Sequence, residues 1–219
     1  MLTIRADFDV ARDVLREIEW CTGPCDVSVR SEDGIVTLMG FVDSYARKMA
    51  AQEAAHRVGG VTDVANDIEV RISDEAVRSD SEIAHAVRNG LEWDALLPDD
   101  RIVSSVSDGV VTLEGEVDRL SERADAEFVV RRLSGVQRVV NKIVIRAPEA
   151  NPEELRMRIE EALERRALRE AERIKVRVSD GIVTVSGRVN SWNEKRAVIG
   201  SIAHAPGVAR VKDDLSIAL

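Results

Sequence analysis

The chain is poor in the residues that most chemistry requires. Its 219 residues include two cysteines, three histidines and five prolines, and aromatic side chains make up 3%. Cys21 and Cys25 lie four apart outside any C-x-x-C motif, so they read as plain loop thiols rather than a redox or metal pair. His56, His85 and His204 fall in predicted helices with no Cys/His spacing that suits zinc, so they read as partly exposed helical residues. No nucleophile sits in a G-x-S-x-G motif, and no pair of acids stands out from the solvated background. The residues therefore give no support for an enzyme and imply no metal or cofactor. Scarce aromatics leave the core to Val, Ile, Leu and Ala. No apolar run approaches the roughly 18 residues of a membrane span. Met1 to Trp20 carries acids throughout and no apolar h-region, so the chain is expected to be cytoplasmic, without a signal peptide. The net charge of −9 speaks against general nucleic-acid binding, which needs cations to replace phosphate counterions.

What is present is a threefold repeat. Asp-Gly-x-Val-Thr recurs at Asp33 to Thr37, Asp108 to Thr112 and Asp180 to Thr184. A second glycine follows at Gly40, Gly115 and Gly187, then Val42, Val117 and Val189. A Gly-Val pair closes each unit at Gly60-Val61, Gly135-Val136 and Gly207-Val208. The repeat defines three units, 1–74, 75–147 and 148–219. Each is so small that it buries only about 60% of its unfolded surface, so neighbouring units are expected to lean on one another. Charge is uneven: the units carry 8 basic and 14 acidic, 10 and 14, and 13 and 12 side chains.

Each unit reads helix, strand, turn, strand, helix, strand. The first helix has apolar residues four apart (Val10, Val14, Ile18; Ile83, Val87, Leu91; Leu155, Ile159, Leu163), the spacing of one buried face. Acids near its start complement the positive helix end. The next strand alternates, as in Ile174, Val176 and Val178. Asp33-Gly34, Asp108-Gly109 and Asp180-Gly181 then form tight hairpin turns. The glycine inside the return strand marks a bulge or a close backbone approach. Small residues such as Ala51, Ala55, Ala126 and Val198 line the second helix, and Ser191 and Glu194 have capping-box spacing. The fold class expected is α+β: three tandem αββαβ units, each a three-stranded sheet with two helices packed on one face. Short linkers, Ser73 to Ser79 and Ala147 to Pro152, predict a compact body.

This pattern resembles the BON domain (bacterial OsmY and nodulation). Ile174-x-Val176-x-Val178-x-x-Gly181-x-Val183 is similar to the first half of the family core, and Val136-x-x-Val139-x-Asn141 to the second. Leu91-Glu92-Trp93-Asp94 and Ser191-Trp192 look like features of bacterial proteins built from three such units, commonly called osmotically inducible or transport-associated. The resemblance implies an α/β sandwich, no enzymatic activity, a link to envelope or osmotic stress, and binding to phospholipid surfaces. One relative's association with potassium adds a cation-responsive alternative. Two positions depart from the family: Asp213 replaces its usual asparagine, and Cys21 stands where it favours aspartate.

One cluster suits an anionic partner. Arg158, Arg165 and Arg169 of the third unit's first helix lie within about 40° of each other at 100° per residue. Trp192 is a candidate interfacial aromatic, although its counterparts Tyr45 and Leu120 point to a packing position. The leading expectation is a non-enzymatic, stress-associated module that touches anionic phospholipid or a membrane-associated protein. The alternatives are a protein-interaction or self-assembling scaffold without lipid affinity, and a potassium-responsive module. The sequence leaves the oligomeric state open.

Overall fold

The computed structural model describes residues 6–73, 77–165 and 174–217. The first unit runs α1 (Asp7–Thr22), β1 (Asp26–Glu32), β2 (Ile35–Val42), α2 (Tyr45–Arg57) and β3 (Asp63–Val70). The second runs α3 (Asp80–Trp93), β4 (Ile102–Ser107), β5 (Val110–Val117), α4 (Leu120–Val130), β6 (Arg138–Asn141) and β7 (Val144–Ile145). The third runs α5 (Pro152–Arg165), β8 (Ile174–Ser179), β9 (Ile182–Val189), α6 (Trp192–Ala203) and β10 (Arg210–Ile217). The expected α+β architecture is present: each middle strand pairs antiparallel with the strand before it and parallel with the strand after the crossover helix. In the second unit that last strand is split into β6 and β7, both paired to β5.

Each sheet carries its helices on one face. Val36, Leu38 and Val42 of β2 point to that face and share a core with Val10, Val14 and Ile18 of α1 and Ala51, Ala54 and Ala55 of α2. The other face is open, with Ile35 and Met39 exposed. Alanines on α2 let the helix lie close to the sheet, whereas α6 uses Val198 and Ile202 for the same purpose. Val58, Leu133 and Ala205, in register with these helical faces, lie just beyond the helices.

The hairpins follow from two residues with left-handed backbone. Asp33, Asp108 and Asp180 have φ of 51°, 51° and 50°, and the following glycines 80°, 71° and 72°, the type I′ signature that matches strand twist. Asp80, at the start of α3, adds a second restraint: its carboxylate accepts from the backbone N–H of Asp108 and of Gly109 at 2.9 Å each. The inner glycines resolve as close approaches without a bulge. Pairing of β1 with β2 is unbroken, and a Cβ on Gly40 would lie 1.9 Å from the Asp26 carbonyl oxygen; on Gly115 it would lie 2.1 Å from that of Arg101.

A polar tie joins each last strand to its second helix. Asn66 accepts from the Ile68 N–H and donates to the carbonyl of Lys48; Asn141 accepts from Ile143 and donates to the carbonyl of Arg123. Asp213 keeps the first bond, accepting from Leu215 N–H at 3.0 Å, but has no N–H to give. Lys195, at the position of Lys48 and Arg123, supplies the missing donor: its Nζ reaches Asp213 Oδ2 at 2.8 Å and the Leu215 carbonyl at 3.1 Å. The departure from asparagine is thus matched by a change in which group donates.

Two predictions follow from these contacts. Gly115→Ala is expected to lower stability in urea by more than about 1 kcal/mol, whereas Gly200→Ala, where an added Cβ meets nothing within 4 Å in the interior of α6, raises it by roughly 0.5–1 kcal/mol. Lys195→Met is expected to cost about 1–2 kcal/mol, because Asp213 loses its cation in a half-buried site. Adding Asp213→Asn restores most of that loss, since asparagine can donate to the residue-195 carbonyl; a double-mutant cycle measures the recovery.

Candidate functional site

The first residue of each second helix packs on the next unit. Tyr45 of α2 packs against the second unit's core, its oxygen hydrogen-bonded to the Val139 backbone; burial first, then the Glu127 carboxylate, holds its pKa above the usual range. Leu120 of α4 packs against the third unit's core. Trp192 of α6 returns to the first unit, donating from Nε1 to the Thr62 carbonyl at 3.2 Å and laying its ring 4.1 Å from that of His56. Equivalent positions make these contacts in cyclic order, so the three units close a ring.

Glu53 of α2 lies where the units meet. It accepts from Arg131, just past α4, at 2.8 Å and lies 3.9 Å from Arg196 of α6. His56 is one turn further along α2. Its Nδ1 is buried and has no hydrogen-bond partner among the described residues. Burial, the largest influence, and the Arg196 charge hold its pKa below the ordinary histidine value, while Asp63 and Glu53 oppose them.

The arginine stripe falls on a different surface. Arg158 and Arg165 line a groove of about 370 Å³ between α5 and the end of α6, with Glu161, Ser201 and His204 beside them. Arg158 is exposed and has no ion pair or hydrogen bond among the described residues; Arg165 has Glu161 at 3.7 Å. The His204 Nδ1 lies 2.6 Å from the Gly200 carbonyl. Arg169 lies outside the described residues. Trp192 does not belong to this groove: its indole is committed to the joint with the first unit, as its counterparts Tyr45 and Leu120 suggested. Two guanidinium groups on an open groove suit a phosphate or carboxylate, although Glu161 beside Arg165 dilutes their charge. His204 was missed as a groove residue because it follows α6, 39 residues from Arg165, with no periodic link to the stripe.

The cysteines differ from the loop expectation. α1 extends to Thr22, so Cys21 occupies its last turn, exposed, with Arg57 Nη2 donating to its sulfur at 2.7 Å. Cys25 is half-buried against the first core. Among the described residues no group of three or more His, Cys, Asp or Glu is placed to hold a metal, and no helix is long and apolar enough to cross a membrane.

The three-unit αββαβ architecture defines the class, and comparison with known proteins gives the family. The BON domain matches residues 6–72, 79–147 and 151–218, and the chain belongs to the BON-domain family. It is similar to osmotically-inducible protein Y of Escherichia coli strain K12, 32% identical over 122 residues, which cover 54% of this chain and 61% of that protein. Among solved structures it is similar to CdsD, a structural protein of the type III secretion system of Chlamydia trachomatis (15% identity, 96% of this chain and 92% of that one, TM-score 0.27). The PrgH periplasmic domain is also similar (11% identity, 95% and 100%, TM-score 0.23). Superpositions this loose carry no argument about function.

The His56 joint gives a pH prediction. Below about pH 6.5 the unfolded chain takes up a proton that folded His56 resists, so stability falls as pH drops through this window. The wild-type Tm is expected to fall more between about pH 6.5 and 5 than that of His56→Gln, as followed by thermal melts monitored by circular dichroism.

Proposed function

We propose that this BON-domain protein is a stress-associated binding module that touches anionic phospholipid surfaces through the α5–α6 groove. The observation that carries this reading is Arg158: exposed, without an ion pair among the described residues, and sharing its groove with Arg165. The name of the Escherichia coli relative supports the link to osmotic stress. Each cation near an anionic membrane contributes about 1 kcal/mol, so a groove with two such residues binds weakly and in a salt-sensitive way.

A second reading, a protein-interaction scaffold, draws on a separate observation. Trp20 and Trp93 occupy equivalent positions at the ends of α1 and α3 and are 87% and 89% exposed, with Leu96 nearby in sequence at 78%. Large apolar side chains left in water mark contact surfaces. Glu19, Glu92 and Asp94 flank the indoles in sequence, which disfavours an anionic bilayer there and favours a protein.

Vesicle flotation tests the first reading. The chain is expected to float with phosphatidylglycerol vesicles at low salt, but not with phosphatidylcholine, and to lose binding at moderate salt or in Arg158→Glu/Arg165→Glu. Absence of flotation under every condition would overturn the lipid reading, and a stable oligomer in sedimentation would then support the scaffold.

A further inference from the structure

We propose that the open face of the third sheet docks against the open face of the first sheet on a second copy of this chain, so that copies associate head to tail. Strand alternation decides what these faces carry. On the first sheet, Asp26 and Glu32 of β1 and Asp63, Asp67 and Glu69 of β3 point away from the helices, all exposed. Against them stand Arg30 and Arg71, and Arg71 is already paired with Glu69 at 3.2 Å. On the third sheet the same face carries Lys175 and Arg177 of β8, Arg188 of β9, and Arg210 and Lys212 of β10, all exposed. Asp214 is the acid on that face, 3.3 Å from Lys212. Lys175, Arg177, Arg188 and Arg210 have no ion pair among the described residues, and neither have Asp26, Glu32 and Asp67.

One fold thus presents opposite charge at equivalent places. Aligned on the Asp-Gly turns, Ser28, Phe41, Asp63 and Ala65 of the first unit become Lys175, Arg188, Arg210 and Lys212 in the third. The second sheet offers little excess of either sign, because Glu114 pairs with Lys142 at 3.2 Å and Glu116 with Arg146 at 2.6 Å. Apolar side chains lie between the charges. Ile35 sits between Glu32 and Asp63 and is 51% exposed; Ile182 lies beside Arg210 and is 41% exposed. Packing the two sheets face to face covers both isoleucines and brings acids to cations. A membrane would match the third sheet and leave the acidic first sheet unanswered, whereas a second copy matches both faces at once. Both faces stand open within one chain, so they meet between molecules. Joining unlike patches makes the contact heterologous, which adds copies in a chain or ring rather than stopping at a two-fold dimer.

Size sets the strength. Three strands about 4.8 Å apart, the middle one of eight residues rising about 3.3 Å each, give a face of roughly 400 Å² on each partner. That is about half the area of a standard stable complex. The contact is therefore weak, with a Kd above about 1 μM at low salt, and salt screens it. It uses neither the α5–α6 groove nor the exposed indoles, so it is independent of both.

Sedimentation velocity of the full chain over a concentration series tests the contact. The sedimentation coefficient is expected to rise with concentration at about 20 mM salt, and association to weaken roughly tenfold or more at about 0.5 M. Asp63→Lys/Asp67→Lys reverses the first face, and Lys175→Glu/Arg177→Glu/Lys212→Glu reverses the third. Each variant alone should stay monomeric where the wild type associates. Mixed in equal amounts the two should associate again, because the mixture holds one intact face of each kind. Circular dichroism establishes that each variant is folded. No concentration dependence at low salt, association unchanged in either variant, or a mixture that stays monomeric would overturn the proposal. Flotation with phosphatidylglycerol vesicles that is lost in the third-face variant, without self-association of the wild type, would assign that face to a membrane and overturn it too.

Discussion

Everything in this molecule depends on where the first residue of each second helix goes. A unit of about 70 residues has one sheet and two helices, too little apolar volume for a robust core of its own. Each unit therefore lends one large side chain to the next: Tyr45 to the second, Leu120 to the third, Trp192 back to the first. Cyclic order leaves no unit without a donor and none without an acceptor. The closing joint joins α6 to a helix about 140 residues earlier, so it faces the largest loop-closure entropy. It also carries the largest side chain, tryptophan, with a hydrogen bond as well as ring contact.

The repeated frame tolerates change when the partner changes with it. In the first two units an asparagine amide donates to a helix carbonyl; in the third an aspartate accepts from a lysine on the same helix turn. The strand and helix stay in register although the donor has moved from one side of the contact to the other. Surfaces that no neighbour covers are freer still. The equivalent position on the first helix is Trp20 in the first unit, Trp93 in the second and Arg165 in the third.

This contrast explains how far the sequence could be read. Helices, hairpins and core residues were legible because each rests on local or periodic signals: apolar residues four apart, strands of period two, Asp-Gly turns. Gly40 and Gly115 could be singled out but not assigned, since a bulge and a carbonyl at 1.9 or 2.1 Å leave the same mark in the sequence. The ring order was not legible, although Tyr45, Leu120 and Trp192 were aligned as one position. An aligned position says that three residues share a role; it does not say which unit receives each of them. The candidate groove was half legible. Arg158 and Arg165 came from helical periodicity, but His204 and the partners of Cys21 arrive from other elements, Arg57 being 36 residues away.

The seam between the two helices of each unit then shows where this fold leaves room for chemistry. Glu17, Gly90 and Ala162 are equivalent on the first helix; Arg57, Arg132 and His204 are equivalent just at or beyond the second. In the second unit a Cβ on Gly90 would lie 3.1 Å from Val129, so absence of a side chain lets apolar groups close the seam, and Arg132 is turned out over Phe128. In the first unit Glu17 fills the same place, binds Arg57, and so holds that guanidinium against the Cys21 thiol. In the third unit Ala162 neither closes the seam nor pairs with His204, and a groove remains beside Arg158 and Arg165. One side chain on the first helix therefore decides whether the seam is closed by apolar groups, bridged by an ion pair, or left as an open groove. The sheets beneath are held by other residues of these helices, such as Val14 and Ile18, Val87 and Leu91, and Ile159 and Leu163.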